Sequence, residues 1–294
     1  MNSARRQDSF PQQASPTVFY SKGRFDRSGA QVHEDLMAYS FCFHHGYSYG
    51  GAIGGAYFDE HFRLCQFLGL PLPKREGEVS LLRETYRELR WEPSSGQRPH
   101  GMTPWARLLA FVFRMEINDQ RLLDVDSIYS PAFRTHLRRS MRLNDDRGDV
   151  PNAVVHIRRG DIRAPEYAHR YLDNAYYLRL IQKIQASNAS ARIIIHSEND
   201  SPETFDAFLN LGCTVKLDSS LEEAWQDMIL ADVLVLSKSS FSYVPALFNS
   251  NLVLYTPFWH NKLCDWIDVS ADNVEAALAA HWNKTMHVNS GGPC

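Results

Sequence analysis

Short runs of consecutive apolar residues alternate, in the second half of the chain, with stretches of about ten residues that have helical spacing. Ala153-Val154-Val155 leads into His156-Ile157, Ile193, Ile194 and Ile195 form a block, and further runs occupy 233–236 and 252–255, with a shorter one around Val215. Strands that read as unbroken apolar runs are covered on both faces, as in a parallel sheet between two helical layers. The stretches between them predict helices over 173–184, 202–211, 221–230 and 243–248, with Pro202 just inside the start of the second. A closing helix is expected over 274–282. The second half should therefore be a Rossmann-like α/β layer.

The first half is less regular. Residues 1–20 are mostly polar and read as a loose leader. The apolar and aromatic stretch 37–43 predicts a strand that runs into His44, His45 and a glycine-rich turn from Gly50 to Gly55. That turn should open a helix ending near Leu68, with Phe58, Phe62, Cys65 and Leu68 on one face, before Pro71 and Pro73. Another helix is predicted over 79–89. Residues 91–104 read as a loop rich in Pro and Ser, and period alone leaves 105–115 open between strand and helix. A charged stretch at 145–151 marks the expected boundary. The division is then a leader (1–20), a first domain (21–150), a second domain (151–270) and a closing helix and tail (271–294).

Composition narrows the function. A chain of 294 residues accommodates two domains of roughly 150. With 44% hydrophobic and 22% charged residues it has a globular balance, which argues against a disordered or fibrous protein. Its 31 basic and 34 acidic residues give a net charge of -3, so no excess field exists to hold a long polyanion. Nucleic acid is not an expected partner, and any phosphate must be recognised locally. The five cysteines include no Cys-x-x-Cys pair, so neither a disulfide framework nor a cysteine zinc site is expected. No run of eighteen apolar residues occurs and the start lacks a signal-peptide core. A cytoplasmic or otherwise soluble protein is expected, with the Golgi lumen open if an anchor has been removed.

Ligands of an α/β sheet bind outside the carboxyl ends of its strands. Four polar segments directly follow apolar strands and should converge there: His156-Ile157-Arg158-Arg159-Gly160-Asp161, His196-Ser197-Glu198-Asn199-Asp200, Ser237-Lys238-Ser239-Ser240-Phe241-Ser242, and Thr256-Pro257-Phe258-Trp259-His260. The guanidinium groups of Arg158 and Arg159 offer planar forks of donors matched to phosphate oxygens, and Asp161 could orient one of them. Ser239, Ser240 and Ser242 precede a predicted helix, where hydroxyls and free amides suit an anion but also serve as ordinary caps. The Gly50 to Gly55 turn fits neither the dinucleotide nor the P-loop pattern. The tripeptide Arg159-Gly160-Asp161 matches a cell-adhesion signal, but three residues just after a buried strand carry little information.

Together these segments resemble the fucosyltransferase superfamily, most closely the α1,2-fucosyltransferases and their algal, bacterial and viral relatives. The resemblance rests on His156-Ile-Arg-Arg-Gly-Asp161, on Tyr176-Tyr177, and on the stretch from Ala231 to Ser242 with Ala246 to Asn249, Pro257 and Trp259. It implies a GT-B-like α/β fold of two facing Rossmann-like domains, each with a parallel sheet, and an inverting glycosyltransferase with no required metal or cofactor. The donor would be a nucleotide sugar, typically GDP-fucose, and the acceptor a glycan hydroxyl. Arg158 would bind the diphosphate, Arg159 and Asp161 complete that motif, and Ser239, Ser240 and Phe241 lie near the β-phosphate, while His156 and the segment His196, Glu198, Asp200 flank the nucleoside side. Relatives carry an aspartate where Ala224 stands, and Glu223 could substitute for it; otherwise the base differs, and another sugar, such as a pentose on GDP or UDP, stays open. A non-catalytic nucleotide-sugar or glycan-binding module is the remaining reading. For the acceptor base, His44, His45, Asp59, Glu60 and Asp161 are all candidates, of which His44, Asp59 and Asp161 lead.

Overall fold

The computed structural model describes residues 18–75, 86–88, 124–141, 143–144, 148, 150–163 and 165–290. The first half begins with strand β1 (Val18–Lys22), helix α1 (Ser28–His45), strand β2 (Ser48–Ile53), helix α2 (Phe58–Leu68) and strand β3 (Tyr86–Glu88). Two short helices follow, α3 (Val125–Ile128) and α4 (Pro131–Arg138). The three strands pair in parallel in the order β2-β1-β3. Helices α1 and α2 each stop at a glycine in the left-handed region, Gly46 and Gly69, both with φ 68°. Helix α4 starts on a Ser130 cap followed by Pro131, a pairing suited to a helix start.

The second half contains β4 (Asn152–Ile157), α5 (Asn174–Ser187), β5 (Arg192–Ser197), α6 (Asp206–Asn210), β6 (Thr214–Leu217), α7 (Leu221–Leu230), β7 (Val233–Val235), α8 (Ser240–Ala246), β8 (Leu252–Tyr255), β9 (Ile267–Asp268) and α9 (Val274–Ser290). All six strands run parallel, in the order β6-β5-β4-β7-β8-β9. Counted from β4 this is 3-2-1-4-5-6, the doubly wound order whose switch point lies between β4 and β7. The chain therefore forms two α/β lobes with a parallel sheet in each.

Several elements depart from expectation. Residues 37–43 belong to α1, not to a strand. That helix is buried on nearly every side, including Val32, Leu36, Met37, Ser40 and Phe41, so its apolar pattern loses the helical period and resembles a buried strand. Gly50 and Gly51 lie within β2, and only Gly54 and Gly55 form the turn before α2. Tyr86–Glu88, inside the predicted helix 79–89, is a strand, while the loop 91–104 and the segment 105–115 fall outside the described residues. Strand β1 takes residues 18–20 from the leader, and the helix expected over 202–211 contracts to α6 with Pro202 ahead of it. The boundary stretch 145–151 lies partly outside the described residues.

The two lobes share one core. Val32, Leu36 and Met37 of α1 and Leu64 and Leu68 of α2 cluster with Trp225, Met228 and Ile229 of α7 and with Tyr243 and Val244 of α8. A second cluster fills the opposite face of the large sheet, under α5 and α9, around Val155, Ile181, Phe208 and Trp282. Helix α1 meets α8 so closely at Gly29 that an added Cβ would stand 2.8 Å from the Phe241 Cα and 2.9 Å from its nitrogen. Both are backbone atoms, which cannot swing aside. Gly29→Ala should therefore cost about 1–3 kcal/mol of stability, read as a lower urea midpoint with an unchanged slope. An unaltered midpoint would show that this seam is loose.

Candidate functional site

A cleft of about 710 Å³ opens over the switch point and is lined from both lobes. Its volume is in the range of small-molecule sites. The loop leaving β1 and the first turns of α1 form one wall, and the segments leaving β4, β5, β6 and β7 form the other. His156, at the end of β4, joins the two central strands: its Nδ1 lies 2.6 Å from the Ser237 Oγ beyond β7. Burial pushes the pKa of His156 down to about 3, aided by His196 and Arg158, so the ring is neutral at ordinary pH.

Arg158 reaches the cleft floor. Its Nε and Nη2 donate to the two carboxylate oxygens of Asp161 at 3.1 and 2.7 Å, and its Nη1 makes a loose 3.4 Å contact to the Lys238 carbonyl. Gly160 between them has φ 68°, and a Cβ there would strike the Glu198 carboxylate at 2.6 Å. The positive φ favours glycine at this turn. Burial opposes ionisation of Asp161, yet the pairing with Arg158 and the nearby Arg27 overcome it and hold its pKa below the ordinary value.

Two more arginines complete the floor. Arg27, just ahead of α1, crosses between lobes to donate to Glu198 at 2.7 Å and lies 3.6 Å from Asp161. The Arg170 guanidinium sits 4.4 Å over the Trp259 ring and 5.0 Å over Tyr167. It has no ion pair among the described residues, and burial together with Arg158 lowers its pKa. An arginine held by aromatic faces beside a second arginine attracts an anion.

The opposite wall carries Arg24, Asp26, Glu34 and Glu60, with Phe25 and Tyr57 exposed at the rim. Arg24 pairs with both Asp26 and Glu34. Burial pushes the Glu34 carboxyl up to about 7, against the pull of Arg24. The Glu60 Oε2 accepts a hydrogen bond from the Ser28 hydroxyl at 3.0 Å. The His33 and His260 rings lie 4.2 Å apart with their planes tilted by 47°, and burial drives His33 down to about 3 and His260 well below its usual range.

The structure brings together His156, Arg158, Asp161, His196, Glu198, Ser239, Ser240 and Phe241 from the residues singled out in the sequence. Ser239 caps α8, its hydroxyl accepting from the Phe241 amide, and the Ser240 hydroxyl meets the His260 Nε2 at 2.8 Å. His196 is held on both nitrogens, by Ser219 and Asp227 at 2.8 Å each. Others do not line the cleft. Arg159 is fully buried beneath it, bonded to the Leu172 carbonyl, Asn174 and Glu203, so neither phosphate binding nor a displayed adhesion tripeptide fits its position. Asp200 contributes its carbonyl to the Gly160 amide. Glu223 turns away to Lys216. His44 packs near α4, 3.2 Å from Ser130, and Asp59 is exposed opposite Arg75. Neither is placed to meet an acceptor in this cleft. Arg27, Glu34 and Arg170 were not anticipated, since nothing in their local pattern marks them.

One further cluster lies inside the first lobe. Asp35, His61 and Cys65 bring carboxylate, imidazole and thiol atoms within 4.8 Å of one another, all buried, and could hold a metal ion. Asp35 also accepts hydrogen bonds from Ser21 and Tyr49, at 2.9 and 3.0 Å. None of the three lines the cleft. Among the described residues no helix is long and apolar enough to cross a membrane.

No protein-family model matches the chain, and no curated protein does. Two solved structures of E. coli heptosyltransferase WaaC, one with ADP-2-deoxy-2-fluoro heptose and one with ADP, are similar to it. They are 12% and 11% identical, with TM-scores of 0.42 and 0.48, and each comparison covers 93% of this chain and 99% of that one. At these values the likeness assigns no activity.

Proposed function

We propose that the chain is a GT-B-type glycosyltransferase that moves a sugar from a nucleoside diphosphate donor to a glycan hydroxyl with inversion. The observation that carries this reading is the pair Arg158 and Arg170 at the switch point of a 3-2-1-4-5-6 sheet, on the floor of a two-lobed cleft. A diphosphate there would draw on Arg158, Arg170 and Arg27, which would neutralise the charge that builds on the leaving group in the transition state. That task requires no metal. The nucleoside would lie toward β5 and β6, beside His196, Ser197 and Ser219, and the acceptor toward the first-lobe wall with its exposed Phe25 and Tyr57.

The motif resemblance puts L-fucose from GDP-fucose among the candidate donors. The aspartate that the resemblance would set against guanine is absent from its position, however. Ala224 holds its place, and Glu223 is engaged by Lys216 at 2.8 Å. This favours the wider reading, another sugar such as a pentose on GDP, UDP or a further nucleoside diphosphate.

The test is thermal melting with GDP, UDP, CDP and ADP, each with and without EDTA. One of them is expected to raise the melting temperature, since a ligand at 100 times its Kd adds about 2.7 kcal/mol to the folded state. The rise should survive EDTA. If all four leave the melting temperature unmoved, the reading fails; a rise with no turnover of any sugar donor would favour a non-catalytic binding module.

A further inference from the structure

The buried polar side chains that line the cleft are hydrogen-bonded, with one exception. His156 meets Ser237, His196 is held by Ser219 and Asp227, and His260 meets Ser240. The serines are engaged as well: Ser28 donates to Glu60, Ser197 donates to the Ile157 carbonyl, and Ser239 accepts from the Phe241 amide. His33, only 5% exposed, makes no hydrogen bond to any described residue. Its imidazole stands among rings instead, edge-on to Tyr243 at 5.4 Å and 4.2 Å from His260. Neither ring nitrogen is sealed off, and the residue lines the cleft. An imidazole carries at least one N–H donor, and a buried donor left unmatched is costly. Its partner is to be found in whatever fills the cleft.

Strand order tells which part of a ligand reaches this ring. Along the rim the sheet runs β6-β5-β4-β7-β8. His196 and Ser219 follow β5 and β6, Arg158 follows β4, Ser239 and Ser240 follow β7, and Trp259 and His260 follow β8. A nucleoside at β5 and β6, with its diphosphate over Arg158, sets the group beyond the outer phosphate toward β8. Contacts continue in that direction from Arg170, 4.4 Å over the Trp259 ring, through His260, 5.9 Å from Trp259, to His33.

We propose that His33 is a specificity-determining residue that hydrogen-bonds a hydroxyl of the transferred sugar, an assignment that rests on the nucleotide-sugar reading above. The ring stands one helical turn beyond Gly29, where α1 is packed onto the backbone of α8, so the first lobe holds it in a fixed place against the second. A fixed nitrogen in a buried site tells a hydroxyl at one position of the sugar from a missing or inverted one, because the wrong sugar leaves the imidazole unpaired. His33 thus belongs to the first lobe and reads the donor that the second lobe binds.

The experiment measures, by titration calorimetry, the Kd of whichever diphosphate raises the melting temperature and of its hexose, deoxyhexose and pentose esters. Wild type is compared with His33→Phe, which keeps a ring beside Tyr243 and His260 but has no nitrogens. The smaller His33→Leu gives the same comparison if the larger ring disturbs the seam. For the ester that wild type binds tightest, the ratio of its Kd to that of the bare diphosphate is expected to rise about fivefold or more in both variants. A smaller rise in a variant that still binds the diphosphate overturns the assignment alone; if turnover falls nonetheless, the ring faces the acceptor instead. Loss of diphosphate binding by a folded variant also overturns it, since His33 would then serve the phosphates. A wild type that no diphosphate stabilises, or that binds one and none of its esters, overturns the nucleotide-sugar reading and the assignment with it.

Discussion

Arg158→Ala should abolish the melting-temperature rise that a nucleoside diphosphate gives the wild type and weaken binding about 100-fold or more. Charge-assisted hydrogen bonds contribute about 1.5–3 kcal/mol each, and a planar fork can make two to one phosphate group. At about 1.4 kcal/mol per tenfold, two such bonds account for the loss. The substitution also frees both oxygens of Asp161, which would then repel the ligand. Lysine at this position should rescue little, since a single ammonium cannot reproduce the fork. Titration calorimetry with the stabilising diphosphate measures the effect. Binding within about threefold of wild type would show that Arg158 serves only to hold the Gly160 turn, and that the anion site lies elsewhere.

The largest loss of stability is expected from Trp225→Ala. Trp225 is fully buried in the core shared by the two lobes, 5.7 Å from the Phe241 ring. Deleting so large a side chain costs about 3–5 kcal/mol, a large part of the total for a domain. Because α1, α2, α7 and α8 all draw on this core, the whole chain should unfold at lower urea in a single transition. Hydrogen exchange at amides of α1 and of β4 would read the two lobes separately. Loss of protection confined to the second lobe would mean that the shared core does not couple them.

What the sequence disclosed follows from where each residue finds its partners. Helix α7 and strand β8 match their expected bounds because one face, or both, of a short element packs on near neighbours and leaves a clean pattern. Arg158, Asp161, Ser239 and Ser240 line the cleft because each follows an apolar strand whose carboxyl end opens on it. Helix α1 was misread because its burial comes from two lobes at once and erases its period. Arg27, Glu34 and Arg170 escaped for a related reason. Their meaning comes from residues far along the chain, Glu198 for Arg27 and Trp259 for Arg170, and no local spacing records such encounters. Arg159 shows the converse, since two adjacent arginines look alike in sequence while the strand directs one to the cleft and the other beneath it.

The contact of Gly29 with the Phe241 backbone also bears on how a bound nucleotide would leave. Lobes joined through one core and packed closely at Gly29 resist a hinge motion that would part them at this seam. Side chains of the cleft are freer to move. Arg27, tied to Glu198 and close to Asp161, can exchange a carboxylate for a phosphate and back on the far shorter timescale of rotamer changes. On the proposed reading, the acidic residues of the cleft would act as stand-ins for the departing diphosphate, taking the arginines back as the nucleotide goes.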